Sequence, residues 1–411
     1  MIDILRTERP RASGVRVLAV GALTLLLAVA PAGAQQPDPA AELQSYRIPG
    51  WSFTPSLALG ATYDTNVALT DPRADLGFTE GDTFLNIVPG GELGFIGKYT
   101  DFSASYRGFV RRYLDFDALN SYDQRGSLKV KRLLSRRLTI SARDTFGDTP
   151  TTDDTEVNGV PFLRAGSRSN VFTVDAVYRI TKYTSLSSGY DQNWVEFDRP
   201  DLGLITGGWI HGVRNELSQR LSERVAVGGE YSFRYATLDR GDRAFNFQDA
   251  GGVVHLSLGR HTSANVAGGF ATLHDRNFDV TRTGPYVRLN LTQETERATV
   301  GAAFERQYVP SFGFGGTSNN HELRGWILMP LRPGLYTQSS AAWRRMKPFE
   351  TDALQLDTIW IRSTVGYALA RWAQVEVLYT FTRQDSIVTG GEVERHRIGV
   401  QFVISQPMRI H

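Results

Sequence analysis

The chain has 411 residues, 41% apolar and 21% charged, with 40 glycines and no cysteine. Its 45 basic and 43 acidic residues include four arginines and two acids within residues 1–34, so the remainder balances at 41 of each. That balance argues against a nucleic-acid binder, which needs a basic excess to meet phosphates. The lack of cysteine excludes a disulfide scaffold, a thiolate metal site and a cysteine nucleophile. The negative mean hydropathy excludes a helical membrane bundle but not a membrane β-barrel, whose strands turn half their residues inward.

Residues 1–34 read as a secretory signal. An Arg-containing n-region precedes Val17–Val20 and Leu23–Val29, and Ala32-Gly33-Ala34 forms a small-x-small end. The apolar run is short for a membrane span. The absence of an Arg-Arg pair in this region points to the general secretory route, with cleavage after Ala34. Residues 35–52 then read as a polar, Pro-containing periplasmic lead-in.

From residue 53 to residue 404 the pattern has period two. Ile359, Ile361, Val365, Tyr367 and Leu369 alternate with Trp360, Arg362, Thr364 and Gly366, and Ile398, Val400, Phe402 and Ile404 with Arg397, Gly399 and Gln401. Alternation alone also fits a soluble sandwich. The loops decide: tight junctions recur near Gly97–Thr100, Leu134–Arg137, Thr181–Tyr183, Ser222–Glu223, Gly259–Thr262, Gln293–Glu296, Leu331–Gly334 and Ala370–Trp372, mostly about 38 residues apart, or one long hairpin each. Longer polar connections lie between them, among them Ala68–Thr79, Asp115–Ser121, Thr149–Ala165, Asp198–Gly207 and Pro310–Asn319. Short turns alternating with long loops are the asymmetry of an outer-membrane barrel. The expected fold is therefore all-β: a single transmembrane antiparallel up-and-down barrel over 53–404 with about 18 strands, or 16 if one hairpin is miscounted, followed by a tail at 405–411. Its expected location is the outer membrane, with outer-membrane lipid and the barrel-assembly machinery as partners. Tyr99, Tyr183, Trp209, Tyr336, Trp372 and Tyr379 near strand ends suit an aromatic girdle or ordinary cross-strand packing.

Residues 59–67, LGATYDTNV, the strand Phe84–Gly91 (FLNIVPGG) and the stretch Tyr106–Tyr122, with the loop motif Asn120-Ser121-Tyr122-Asp123 at its end and Asn120 in the matching place, resemble the opening of the β-barrel porin 2 family. The likeness is sharp over residues 57–125 and architectural beyond. It implies an outer-membrane barrel of the kind associated with exopolysaccharide or exosortase gene clusters. The ending Ser-Gln-Pro-Met-Arg-Ile-His departs from a common barrel ending, in which an aromatic residue closes the chain. In physical terms, Tyr63, Asp64 and Asn66 stand where the first strand meets a long loop. There Asp64 and Asn66 can bond backbone amides and fix the strand exit, or contact an ion or sugar.

If large apolar residues face lipid, Arg107, Arg111, Arg125, Lys129, Lys131, Arg143 and Arg362 face inward, as do the acids Glu92, Glu230 and Glu376. The basic surplus concentrates on the third to fifth strands and would attract an anionic solute, unless the arginines only pair with acids along the wall. No metal-ligand spacing and no G-x-S-x-G elbow occurs, so no cofactor, metal or catalytic residue is expected. His255 with Ser257 is the nearest approach to a catalytic pair, and a polar wall explains it more simply. The expected function is a porin-like conduit for small or anionic solutes, serving exopolysaccharide export in its widest form. The alternatives are a plugged structural barrel in a surface-polysaccharide assembly and, more remotely, an outer-membrane hydrolase. The loop Thr149–Ala165 is long enough to fold inward and constrict the lumen.

Overall fold

The computed structural model describes residues 49–69, 81–152, 160–198, 205–238, 242–312, 316–349, 355–386 and 391–410. Among them the period-two pattern becomes strands β1 (Gly50–Asp64), β2 (Asp82–Ile96), β3 (Thr100–Tyr113), β4 (Ser121–Leu133), β5 (Leu138–Thr149), β6 (Ser167–Arg179), β7 (Thr184–Phe197), β8 (Gly208–Arg220) and β9 (Val225–Leu238). The second half contributes β10 (Arg243–Ser257), β11 (Thr262–Asp275), β12 (Val280–Glu294), β13 (Thr299–Ser311), β14 (Gly316–Arg332), β15 (Leu335–Pro348), β16 (Leu356–Ala370), β17 (Ala373–Ser386), β18 (Gly391–Ser405) and the short β19 (Met408–Ile410). From β1 to β18 each strand pairs antiparallel with its sequence neighbours, β18 returns to β1 to close an eighteen-stranded antiparallel barrel, and β19 pairs with β1. Closure removes the two end edges that an open sheet would carry.

Side-chain parity assigns the two faces. Along β1 the odd residues Trp51, Phe53, Leu57, Leu59 and Tyr63 are exposed, while Ala58, Thr62 and Asp64 are buried. The same division runs around the ring. Leu85, Ile87, Val213, Leu217, Val266, Leu289, Leu323, Ile361, Val377, Ile398 and Val400 stand exposed on the outside as an apolar belt. Tyr99, Tyr183, Trp209, Trp372 and Tyr379 are exposed as a girdle requires. Tyr336 is not part of it: it turns inward and donates its hydroxyl to Glu376 at 2.6 Å. It lies against Gly366, where a Cβ would collide with its ring.

The closing seam extends beyond the expected boundaries at both termini. β1 begins three residues before residue 53, and part of the expected tail forms β19. The seam ladder runs from Asp64↔Arg397 to Ser56↔Ser405 and is interrupted near Gln406-Pro407, since Pro407 has no N–H to donate. It resumes in the same register as Phe53↔Met408 to Trp51↔Ile410.

Burial is graded along the barrel. At the short-turn end the inward residues are part-exposed, whereas at the long-loop end they are buried. Val195, Phe197, Ile210, Ala236, Leu238, Phe245, Phe247 and Leu273 join Val160, Ala165, Ile205 and Phe312 from the connecting segments in one apolar cluster. Barrels of sixteen or more strands enclose more space than their wall side chains fill. Here the long-loop end fills that space with apolar side chains and loop segments, and the short-turn end does not.

Candidate functional site

The loop that joins β5 to β6 builds the floor of this plug. Residues 153–159 lie outside the described residues; on either side of them the chain turns inward. The Thr152 hydroxyl bonds the Pro161 carbonyl at 2.7 Å and receives the Leu163 N–H at 2.6 Å, folding the loop back on itself. Its tip crosses to the far side of the ring. The Phe162 N–H donates to Gln384 Oε1 on β17 at 2.7 Å, and Gln384 Nε2 donates to the Val160 carbonyl at 3.2 Å. The Phe162 ring meets Trp360 of β16 edge-on at 6.1 Å, in a cluster with Leu69 and Val393. Arg164 then reaches the Val67 carbonyl at 2.5 Å and the Tyr113 hydroxyl at 3.2 Å. A second crossing joins the β7–β8 and β13–β14 connections, where Thr206 gives its N–H to the Phe312 carbonyl at 2.6 Å.

Beneath the plug the inner wall is charged. All ten residues expected to line the lumen lie on the inner parity of their strands. Arg111 pairs with Asp123 at 3.0 Å, and Lys131 stands opposite Asp101. Sequence reasoning had omitted both acids from the inner face, which removes two cations from the apparent surplus. The rest of the stripe brings cations together. Arg107 stands directly opposite Arg125, and Lys129 directly opposite Arg143. Arg125 also lies 5.2 Å over the Phe109 ring. Glu92 stands opposite Ser105 on the neighbouring strand, and Arg362 opposite Ser340 and Thr380.

The other acids belong to the wall. Glu230 receives Arg288 at 2.6 Å and the Tyr286 hydroxyl at 2.9 Å. Glycine at 251 makes room for that hydroxyl, since a Cβ there would collide with it and with the Gly268 carbonyl. Glu376 collects Tyr336, Gln374 and Gln401. Glu322, buried, bridges Arg324 and Arg344. His255 sits between Glu216 (2.8 Å) and Asn265 (2.6 Å), not against Ser257, so the nearest catalytic pairing in the sequence is not assembled. Among the described residues, no three His, Asp or Glu side chains come together to hold a metal ion.

The Tyr63–Asn66 motif works at the seam. Asp64 accepts the Asn66 N–H at 3.1 Å, the strand-exit turn read from the sequence. It also receives Arg395 Nε from β18 at 2.9 and 3.0 Å, with both side chains essentially excluded from solvent (0% and 1% exposed). Asn66 Nδ2 reaches the Glu394 carbonyl at 3.0 Å, and the Thr65 hydroxyl takes the His396 N–H at 2.9 Å. Tyr63 faces outward, exposed. Asn120, in the other matching motif, caps the β3–β4 turn by accepting the Tyr113 N–H at 2.8 Å.

No protein-family model matches the chain, and no curated protein does. The likeness of residues 57–125 to the β-barrel porin 2 family therefore remains one of motifs. Among solved structures, OccAB4 of Acinetobacter baumannii is 8% identical over 88% of this chain and 99% of its own, with a TM-score of 0.44. OpdO of Pseudomonas aeruginosa is 12% identical over 88% and 98%, also at 0.44. The siderophore receptor PirA of Pseudomonas aeruginosa is 9% identical over 88% and 81%, at 0.42.

Proposed function

We propose that the protein is an integral outer-membrane channel of porin type, narrowed at its outer end by its own loops and lined below them for small anions. The apolar belt and closed wall support membrane placement, with short turns toward the periplasm and long loops outside. The observation that carries the solute class is the pair of like-charged juxtapositions, Arg107/Arg125 and Lys129/Arg143. The low-dielectric wall concentrates the field of such a basic stripe on an anion in the lumen. Service to exopolysaccharide export is the wider form of this proposal, because an acidic glycan would meet the same wall.

A planar-bilayer recording of the refolded barrel tests the reading. Small, anion-selective steps are expected under a salt gradient. The double variant Arg107→Ala/Lys129→Ala should lower the anion-to-cation permeability ratio by about threefold or more, since focused charge sets local ion concentration. Unchanged selectivity would remove the stripe from the mechanism. A second reading, a closed structural barrel, is favoured by the size of the apolar cluster at the long-loop end. Silence from a folded barrel, both intact and with its inward loop shortened, is its signature.

A further inference from the structure

The ladder between β12 and β13 is incomplete. It runs from Glu294↔Thr299 to Val287↔Arg306 and stops there, although β12 begins at Val280 and β13 continues to Ser311. Each keeps its other neighbour to the end, β12 through Asp275↔Val280 and β13 through Ser311↔Gly316. The wall therefore forks toward the outer rim. Pro285 and Pro310 lie along the two arms, and neither can donate a ladder bond.

Side chains close the fork where backbone does not. Arg234 reaches over from β9 and donates to the Tyr308 carbonyl at 3.1 Å. The Tyr308 side chain spans the fork, its hydroxyl occupying the space that a Cβ on Gly284 would need. Phe349 meets the Tyr308 ring edge-on at 5.1 Å, and Arg282 of β12 lies 4.9 Å over Phe349. The seal is thus two aromatic rings and a guanidinium.

The two levels inside the fork differ in chemistry. At its apex a small pocket is lined by Arg214, Arg288 and Arg306 and by Glu230, Asp249 and Glu305, three charges of each sign. Farther out lie Tyr308, Leu273, Phe245 and Phe312 of the apolar cluster, with Tyr286 between the two levels. A membrane strand needs about 9–11 residues to cross the hydrocarbon. Counted from Glu294, that crossing ends near Gly284, so the apex falls in the outer leaflet. A charge-balanced polar recess beneath a packed apolar cluster, at the depth where the wall parts, suits a molecule with a head of no net charge and an apolar tail.

We propose that the β12–β13 fork is a lateral gate through which a single-chain amphiphile with a zwitterionic head passes between the lumen and the outer leaflet, with Tyr308 as its latch. This rests on the membrane placement above but not on axial conduction, so a barrel that passes no ions leaves it intact.

The test uses the full chain refolded in phosphatidylcholine vesicles and a twelve-carbon phosphocholine bearing a photoactivatable group at its chain end, with adducts mapped by mass spectrometry. Adducts on the enclosed Phe245 and Phe312 are expected in the wild type. They should increase about fivefold in Tyr308→Ala, the population shift that follows loss of one ring pair. Labelling of the lipid-facing Leu323 should stay constant. Inner adducts that are absent, or equal in the two proteins, would overturn the gate. Adducts confined to Ser105 and Ser127, on the inner wall of the short-turn half, would show axial arrival and overturn it too. Tyr308→Leu, which keeps apolar bulk while removing the ring, provides the comparison should the alanine variant not fold.

Discussion

Arg395→Ala should leave most refolded chains unable to hold the first and last strands together. Arg395 and Asp64 are buried at the outer end of the seam, and truncating Arg395 takes from the buried carboxylate its forked partner, leaving Arg397 as the cation opposite it. Breaking a buried pair in this way costs about 3–5 kcal/mol. The position makes the loss more severe than for an ion pair elsewhere, because β1 and β18 are joined by no hairpin and their register depends on side chains at the rim. Asn66 and Thr65 bond the same stretch of β18 but lend no charge. Asp64→Asn, which preserves shape, should fail in the same direction, while Asp64→Leu/Arg395→Met together should lose less than either single change, since an apolar replacement leaves no charge stranded. The folded fraction by heat-modifiable gel mobility and the urea midpoint measure both effects. Wild-type stability in Arg395→Ala would show that the seam closes on backbone pairing alone.

The second large effect concerns the plug. Phe162→Ala should widen the conducting path and raise single-channel conductance severalfold. The Phe162 ring is the apolar end of a strap otherwise held by the Gln384 and Thr152 hydrogen bonds, and its removal opens a cavity against Trp360. Phe→Ala in a packed site costs about 3–5 kcal/mol, enough to leave a strap of this length free of its far contacts much of the time. Gln384→Ala should act in the same direction and more weakly, because an amide pairing contributes about 1 kcal/mol net. Selectivity should change less than conductance, since the charged wall lies below the strap. Larger conductance with unchanged selectivity would locate the constriction at Phe162 and the filter on β3–β5. No change in either would place the constriction elsewhere in the plug.

The wall was legible in the sequence because a strand side chain's direction depends on parity alone, and parity survives errors at strand ends. Arg107, Lys129 and Arg143 could be placed on the inner face without knowing where their strands began. Boundaries were less legible: Trp51 continues the alternation of β1, but Ser and Pro around it have the composition of a linker. Asp123 was read as part of a loop motif, so its pairing with Arg111 was missed. The plug could not be read in this way. Val160, Phe162 and Ala165 have no period, and the Gln384 that holds the first two stands more than two hundred residues away, brought near only by ring closure. The β12–β13 fork was equally hidden, because each strand alternates normally and only their mutual register shows the separation; Pro285 and Pro310 were the one available signal.

A barrel with an apolar filling has two stabilities with different temperature dependence. The outer belt exchanges protein contacts for acyl chains, so its unfolding in a micelle brings little new apolar surface to water. The filling is different: Phe245, Phe247, Leu238, Leu273 and their neighbours would meet water on opening, and apolar exposure of that kind raises the heat capacity by about 0.45 cal/K/mol for each Å². Calorimetry in detergent should therefore record a heat-capacity step that belongs mainly to the filling. Because hydrophobic stabilisation weakens on cooling, the filling loosens in the cold while the hydrogen-bonded wall stays closed.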